Sequence, residues 1–462
     1  EFARALAQHV VTPNGSTDGC AAEICDSHFR VRGTCADRQR RRTLARRGVI
    51  MSQALYISTT IAFVAATVFI LLLRPLARGM GLVDVPNERK VHHGEVPLVG
   101  GIAVFAAVML AHLVSLLFAP ISGVLVDYGT FYTAGGLLLV VGMIDDFRQL
   151  TPSTRLASEI VAALLIAAPA GAVVTDLGNL IHVDRNITLG ILAVPFTVFA
   201  VTGLINAINM SDGLDGLAGS LTLVPLIGFI VASTVLGNGE DLVFLACLTA
   251  AVSAFLLFNV TVPGVRRALI FLGDSGSMFL GLALAWLAIR FTQGDNAVLK
   301  PAAVLWFFAL PVYDAVCMMA RRILRRRTPF TADKEHLHHV FLLAGFTVTE
   351  TVLIMAGLAA VGVGIGLAGT WFDISGRFLA GSFVILGLGY FWMIVRAWTV
   401  MRFFRRSICR RREMEARRQG AERRPRRNLH ETVPERRSGG DRRRTERRKD
   451  RRGDDGRRRS DA

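Results

Sequence analysis

Eleven stretches, each close to the ~20 apolar residues that carry a helix across about 30 Å of hydrocarbon, recur along this chain and constrain its fold more than any other feature. They fall at 54–73, 99–119, 129–144, 157–174, 187–208, 219–236, 242–259, 276–292, 301–320, 350–370 and 379–402, a count good to one either way. Inside a bilayer each backbone N–H and C=O must find its partner within its own segment, so such stretches become helices. A content of 52% hydrophobic residues with mean hydropathy +0.44 excludes one ordinary soluble domain. The expected fold is an all-α integral membrane protein, a polytopic bundle of about eleven transmembrane helices with cytoplasmic catalytic loops.

Basic residues set the orientation. Alternate loops carry Arg74, Arg78, Arg89 and Lys90, then Arg148 and Arg155, then Arg266 and Arg267, then Arg321, Arg322, Arg325 to Arg327 and Lys334. The positive-inside rule makes this set cytoplasmic. Every acidic motif described below falls on the same side, which predicts an active face turned to the cytoplasm.

Three regions divide the chain. Residues 51–402 hold the spans. Residues 403–462 carry 24 Arg and Lys against 11 Asp and Glu, and account for most of the formal charge of +17. With so little to bury, this tail is expected to be disordered and drawn to anionic lipid. Aromatic residues do not interleave its basic ones, so nucleic acid is not the expected partner. Residues 1–50 are basic and lack the apolar core of a signal peptide. Met51, just before the first span, is the expected start, with 1–50 an unstructured extension or not native. The six cysteines form no metal spacing or disulfide framework.

Polar residues concentrate in the loops at the ends of spans. Asn87 to Gly94, with Lys90, His92 and His93, precedes Pro97-Leu98-Val99-Gly100-Gly101, whose glycines would let backbone approach a ligand. Asp145 and Asp146 are adjacent carboxylates, which repel unless a proton or cation lies between them. Hard oxygen donors of this kind suit Mg²⁺ bridging substrate phosphates. Asp212 and Asp215 sit among Gly213, Gly216 and Gly219, at a spacing that shares one helix face. Asn206 and Asn209 add amides suited to a base or an acetamido group. Gly273-Asp274-Ser275-Gly276-Ser277 opens a helix, where backbone N–H groups favour phosphate, and Phe271 could stack on a base. The long loop from Arg321 to Phe346 contains His336, His338 and His339 near Arg322. Without a cysteine close by it does not read as a zinc site; it suits the clamping of a pyrophosphate. Carboxylates, histidines and cations together fit metal-assisted phosphoryl transfer.

These segments, in this order and at these membrane edges, resemble the polyprenyl-phosphate N-acetylhexosamine-1-phosphate transferases over 51–402. Thr328 to His339, ending His336-Leu337-His338-His339, is similar to the WecA and TagO type. That type moves GlcNAc-1-phosphate from UDP-GlcNAc to undecaprenyl phosphate and releases UMP. The branch using UDP-MurNAc-pentapeptide has three consecutive histidines where Leu337 interrupts them here.

The resemblance implies roles. Asp145, Asp146, Asp274 and His336 would be catalytic, with Asp274, Asp145 and Asp215 around Mg²⁺, for which Mn²⁺ could substitute. Asn209, Asp212 and Asp215 would shape the nucleotide pocket, and Phe271 would pack on uracil. Arg322, His336, His338 and His339 would engage the pyrophosphate or sugar, and Lys90 the phosphates. A phosphate monoester with second pKa near 6 is already largely dianionic at neutral pH, so Asp146 is expected to organise the site rather than act as an obligatory base. The expected partners are UDP-GlcNAc, undecaprenyl phosphate, membrane lipids and a second copy of the chain. The expected location is the bacterial inner membrane, at the first step of a lipid-linked envelope glycan. The same chemistry on another UDP-N-acetylhexosamine or on UDP-MurNAc-pentapeptide is the alternative. A cation-coupled transporter ranks last, because the acids lie at membrane edges and no internal repeat is visible. Asp314, within the ninth span, reads either as functional or as an ion-pair partner of Arg321. His112 reads as structural or cavity-facing.

Overall fold

The computed structural model describes residues 35–84, 94–118, 124–168, 171–180, 185–237, 241–262, 264, 267–295, 297–326 and 336–396, with backbone alone for 35–51, 118, 124 and 125. Lys90, Thr328 to Glu335 and the basic tail 403–462 lie outside them. The described residues all belong to one compact unit, Glu1–Cys409.

They form thirteen α-helices and one two-stranded ribbon. The helices are α1 (Cys35–Met80), α2 (Gly100–Phe118), α3 (Val124–Arg148), α4 (Pro152–Ala167), α5 (Ala193–Met210), α6 (Leu217–Leu236), α7 (Leu242–Asn259), α8 (Gly273–Thr292), α9 (Pro301–Phe307), α10 (Ala309–Leu324), α11 (Leu337–Ala344), α12 (Val348–Trp371) and α13 (Gly376–Val395). The ribbon pairs β1 (Val83–Asp84) antiparallel with β2 (Val96–Pro97). The all-α polytopic fold expected from the sequence is the one observed.

Nine helices among the described residues are long and apolar enough to cross a membrane, and a bent pair would make a tenth. That pair is α9 and α10, which meet at 81°. Pro311 explains the break. It has no N–H to offer the carbonyl of Phe307, four residues back, and its ring clashes with that carbonyl. The stretch expected to span at 157–174 is instead α4, which begins at Pro152 on a Thr151 cap and stops at Ala167. Its 16 residues reach only about 24 Å at 1.5 Å per residue. The sequence places a proline at 169, which lacks the N–H that would extend a helix, and Gly171 sits at φ +64°, outside the helical region. Helix α1 runs unbroken from Cys35 to Met80, through Met51. Residues 35–50 contain six arginines, two alanines and one leucine, good helix formers, and no proline.

Helix α8 is the axis of the bundle. Its apolar window is 83% buried, against 11% for α13, which turns residues such as Ile385 and Leu388 outward. Phe279, Trp286 and Phe291 of α8 are completely enclosed. Close approach depends on small residues, the usual device where helices pack in lipid. A Cβ on Gly101 of α2 would stand 2.2 Å from Gly276 Cα, one on Gly142 of α3 2.4 Å from Ser275 Cα, and one on Gly281 2.6 Å from Ile205 Cα of α5. At the far end of α8, Arg290 binds Asp241 at 2.9 Å and Asp127 at 2.9 Å. His112 packs there against Tyr128 and hydrogen-bonds Tyr132 at 3.0 Å, which makes it structural.

Candidate active site

The N-terminus of α8 is where the acidic motifs meet. Gly273 enters the helix at φ +76°, a conformation that favours glycine. Asp146, at the end of α3, lies against it: the N–H of Asp274 donates to Asp146 Oδ1 at 2.9 Å. One carboxylate thus satisfies a free N–H at a helix start and sits at the positive end of its dipole. A side chain on Gly273 would collide with it, since a Cβ there would be 2.6 Å from Asp146 Oδ2.

Asp274 faces the other way. Its Oδ1 accepts from Asn209 Nδ2 at 2.7 Å, and its Oδ2 lies 3.4 Å from Arg155 Nη1. The same Arg155 nitrogen donates to Asp145 Oδ2 at 2.8 Å. Arg155 therefore bridges two carboxylates from different helices. Asp145 is almost wholly buried, and its Oδ1 takes the N–H of Leu150 at 2.5 Å. Asn209 also reaches Ser277 Oγ at 2.8 Å. Asn206, expected to read a base or sugar, is instead held by Glu159 and the carbonyl of Thr202.

The glycine segment after β2 turns out to embrace protein rather than ligand. Gly100 and Gly101 donate N–H bonds to the carbonyls of Phe271 and Leu272, both at 3.0 Å, and Phe271 N–H returns one to Pro97 at 2.9 Å. Phe271 is fixed on both sides of its backbone, with its ring half-buried against the core.

The loop between α5 and α6 carries the site onward. Asp212 is exposed, while Asp215 Oδ2 accepts from Thr261 Oγ1 at 2.6 Å. Gly216, at φ +84°, gives its N–H to Asn259 Oδ1 at 2.7 Å, and Asn259 Nδ2 reaches the carbonyl of Ile270 at 2.9 Å. Gly213 lies beneath His338: a Cβ there would be 2.4 Å from His338 Nε2. His338 is 1% exposed, and neither ring nitrogen has a hydrogen-bond partner among the described residues. Burial, then the neighbouring His339 and His336, push its pKa down to about 3, so the ring is neutral. His336 stacks parallel to it, ring centres 5.5 Å apart, and His339 is 4.2 Å from it and 6.3 Å from His336. Arg322 is buried at the end of α10. Asn209 touches Asp274 and Gly213 touches His338, so one short loop joins the carboxylate and histidine halves.

Among the described residues no three His, Cys, Asp or Glu side chains form a ready-made metal cage. Asp145 and Asp274 are brought together around the Arg155 cation, whereas the third expected ligand, Asp215, is held by Thr261. An oxygen pair already arranged about one positive charge suits Mg²⁺, which commonly takes only one or two carboxylates and keeps its waters.

Residues 128–292 match the family model described as glycosyl transferase family 4. An undecaprenyl-phosphate alpha-N-acetylglucosaminyl 1-phosphate transferase of Yersinia pestis is 32% identical over 345 residues, 74% of this chain and 92% of that protein. The proteins of the same name from Salmonella typhimurium and Escherichia coli K12 are 32% and 30% identical, over 95% and 92% of their lengths. The chain belongs to the polyprenyl-phosphate N-acetylhexosamine-1-phosphate transferases. It is a multi-pass membrane transferase, and the matched stretch contains the whole carboxylate half of the site. Sequence reading gave no site role to Arg155 or Asn259, and named Ser277 only within the segment that opens α8. Arg155 was visible only as a topogenic charge, although a lone arginine ten residues after an Asp pair, near a helix start, was the available signal.

Proposed function

We propose that the protein transfers N-acetylglucosamine 1-phosphate from UDP-N-acetylglucosamine to undecaprenyl phosphate, releasing UMP. The reaction would occur on the cytoplasmic side of the bacterial inner membrane and begin a lipid-linked envelope glycan. The observation that carries this reading is the Arg155-bridged pair, Asp145 and Asp274, at the start of the buried helix α8. The names of the relatives support the donor sugar and acceptor.

An oxygen of the lipid phosphate attacks the sugar-bearing phosphorus of the donor. The bond from that phosphorus to the bridging oxygen breaks, and UMP leaves with the oxygen. Positioning and charge neutralisation supply most of the catalysis in such transfers. Asp145 and Asp274 would hold Mg²⁺, or Mn²⁺ in its place, and the bound ion would neutralise charge on the pyrophosphate. Arg155 adds a second cation beside the reacting phosphates. Asp146 fixes the backbone from which Asp274 projects. His338, neutral and without a hydrogen-bond partner among the described residues, offers a hydrogen bond to a ligand over Gly213, and His336 offers another beside it. The loop from Asn209 to Asp215 would line the nucleotide side. Lys90 and the basic tail would add contacts to phosphate and to anionic lipid.

The test is UMP release by the purified full-length protein from UDP-GlcNAc, with and without undecaprenyl phosphate, in Mg²⁺ and then EDTA. Release should require lipid and metal and collapse in Asp274→Asn. Release from a different UDP-sugar alone would change the donor, and silence across a panel would overturn the transferase reading.

A further inference from the structure

Asp314 lies on α10, 3% exposed, where a carboxylate without partners would be costly. It has three. Its Oδ2 is 2.8 Å from His336 Nδ1, and its Oδ1 accepts from Leu337 N–H at 3.0 Å and from Tyr390 Oη at 2.8 Å. These partners come from α11 and α13, 22 to 76 residues away in sequence. Leu337 is the first residue of α11 and His336 its N-cap, yet the His336 side chain caps nothing. Asp314 supplies the missing acceptor for that free N–H, as a cap from outside the helix. The same carboxylate therefore fixes where α11 starts and which way the imidazole on its cap is turned.

We propose that Asp314, braced by Tyr390, is a positioning residue that keeps the proton of His336 on Nδ1 and leaves Nε2 for the substrate. This rests on the reading of His336 as a substrate contact. A carboxylate can only accept, so it demands a donor at Nδ1. If the ring meets the substrate as an imidazolium, the same carboxylate stabilises it, as the buried acid does in a serine protease triad, and its Nε2 proton can pass to the oxygen of the departing UMP. An asparagine cannot replace it. Leu337 N–H can only donate, so the amide would turn its oxygen there and point its NH₂ at His336. That reverses the tautomer.

The experiment uses the full-length protein labelled with ¹⁵N-histidine, as wild type, Asp314→Asn, Tyr390→Phe and His336→Gln, the last assigning the signals. Ring nitrogen shifts report where the proton sits, whether or not any substrate turns over. Wild type should carry it on Nδ1, and Asp314→Asn should move it to Nε2. In the UMP assay Asp314→Asn should lower kcat by about 10–100-fold, the usual scale for residues that orient a working histidine. In a His336→Gln background the same change should add less than about twofold, since coupled residues are not additive. Tyr390→Phe should keep the Nδ1 proton, lose activity several-fold less than Asp314→Asn, and likewise add nothing once His336 is gone. It carries the test if Asp314→Asn fails to fold. A wild-type proton on Nε2, an unchanged tautomer in Asp314→Asn, or losses that multiply with His336→Gln would overturn the proposal. A wild type that shows the Nδ1 tautomer but releases no UMP would overturn the proposed reaction and leave the pairing standing.

Discussion

Asp146 holds the backbone of Asp274: its Oδ1 takes the Asp274 N–H at 2.9 Å, across 128 residues of sequence. Adjacent in sequence to Asp145, it does a different job. Asp145 faces Arg155, while Asp146 caps the helix that presents Asp274.

An organiser and an obligatory base predict different outcomes on substitution. Asp146→Asn keeps one acceptor oxygen, so it should retain part of the cap and a residual rate of about 1–10%. Asp146→Ala removes the cap, worth about 1 kcal/mol at an ordinary helix start, and should fall further. The residual rate in the asparagine variant should keep the wild-type pH profile, because the lipid phosphate is ionised without help. Steady-state UMP release from pH 6 to 9 checks this. A complete loss in Asp146→Asn with intact folding would make it the base.

Arg155 is the only described cation bridging Asp145 and Asp274. Its removal leaves Asp145, 4% exposed, facing Asp274 without that charge. Breaking a fully buried pair costs about 3–5 kcal/mol, but Arg155 is 32% exposed, so solvent screening should reduce the loss to about 1–2 kcal/mol. Arg155→Met should lower the melting temperature in detergent and cut activity at least tenfold. Arg155→Lys should recover most of the stability and less of the activity, since the shorter side chain must bring its one ammonium to the place of Nη1 between both carboxylates. A methionine variant as stable and active as wild type would remove Arg155 from the site.

Gly101 and Gly129 give a paired test of close packing. A Cβ on Gly101 meets the backbone of Gly276, which cannot swing aside, whereas one on Gly129 meets nothing within 4 Å. Gly101→Ala should cost about 1–3 kcal/mol, the scale of an overpacked core, and disturb the start of α8, lowering activity with it. Gly129→Ala should be neutral or stabilising by up to about 1 kcal/mol, because alanine suits a helix better. Thermal unfolding of both variants decides, and equal effects would refute the argument.

What the sequence made legible was local. A run of apolar residues long enough to span, with acids at its edges, announces itself without knowledge of its neighbours, and α1 to α3, α5 to α8, α12 and α13 follow those runs. The short α4 and the bend at Phe308 were written in Pro169 and Pro311, but each proline also occurs harmlessly at span ends, so length alone misled. Pairing over distance was not legible. Asp314 has Arg321 two turns along its own helix, which left an ion pair as open as a functional role, and His336 and Tyr390 are what hold it. Gly100 and Gly101 signalled close approach correctly, but not that the approaching partner was Phe271 and Leu272. Asn206 and Asn209 looked equivalent; one residue pairs with Glu159 inside the bundle and the other with Asp274 at its edge.

His338 should leave a mark on acid stability. Its pKa of about 3, caused first by burial and then by two neighbouring imidazoles, lies below the 6.5 of an exposed histidine. Between those values the unfolded chain binds a proton that the native protein refuses, so stability rises with pH. The contribution is complete above about pH 6.5 and is lost progressively as pH falls toward about 3. His338→Gln removes the titration, so its melting temperature should fall less steeply than that of wild type between pH 7 and 5. Only the slope carries the argument, because glutamine also changes packing over Gly213 and shifts both curves bodily. Parallel slopes would mean that His338 is protonated in the native protein. Its place in the site would then be that of a cation, not of a neutral hydrogen-bonding ring.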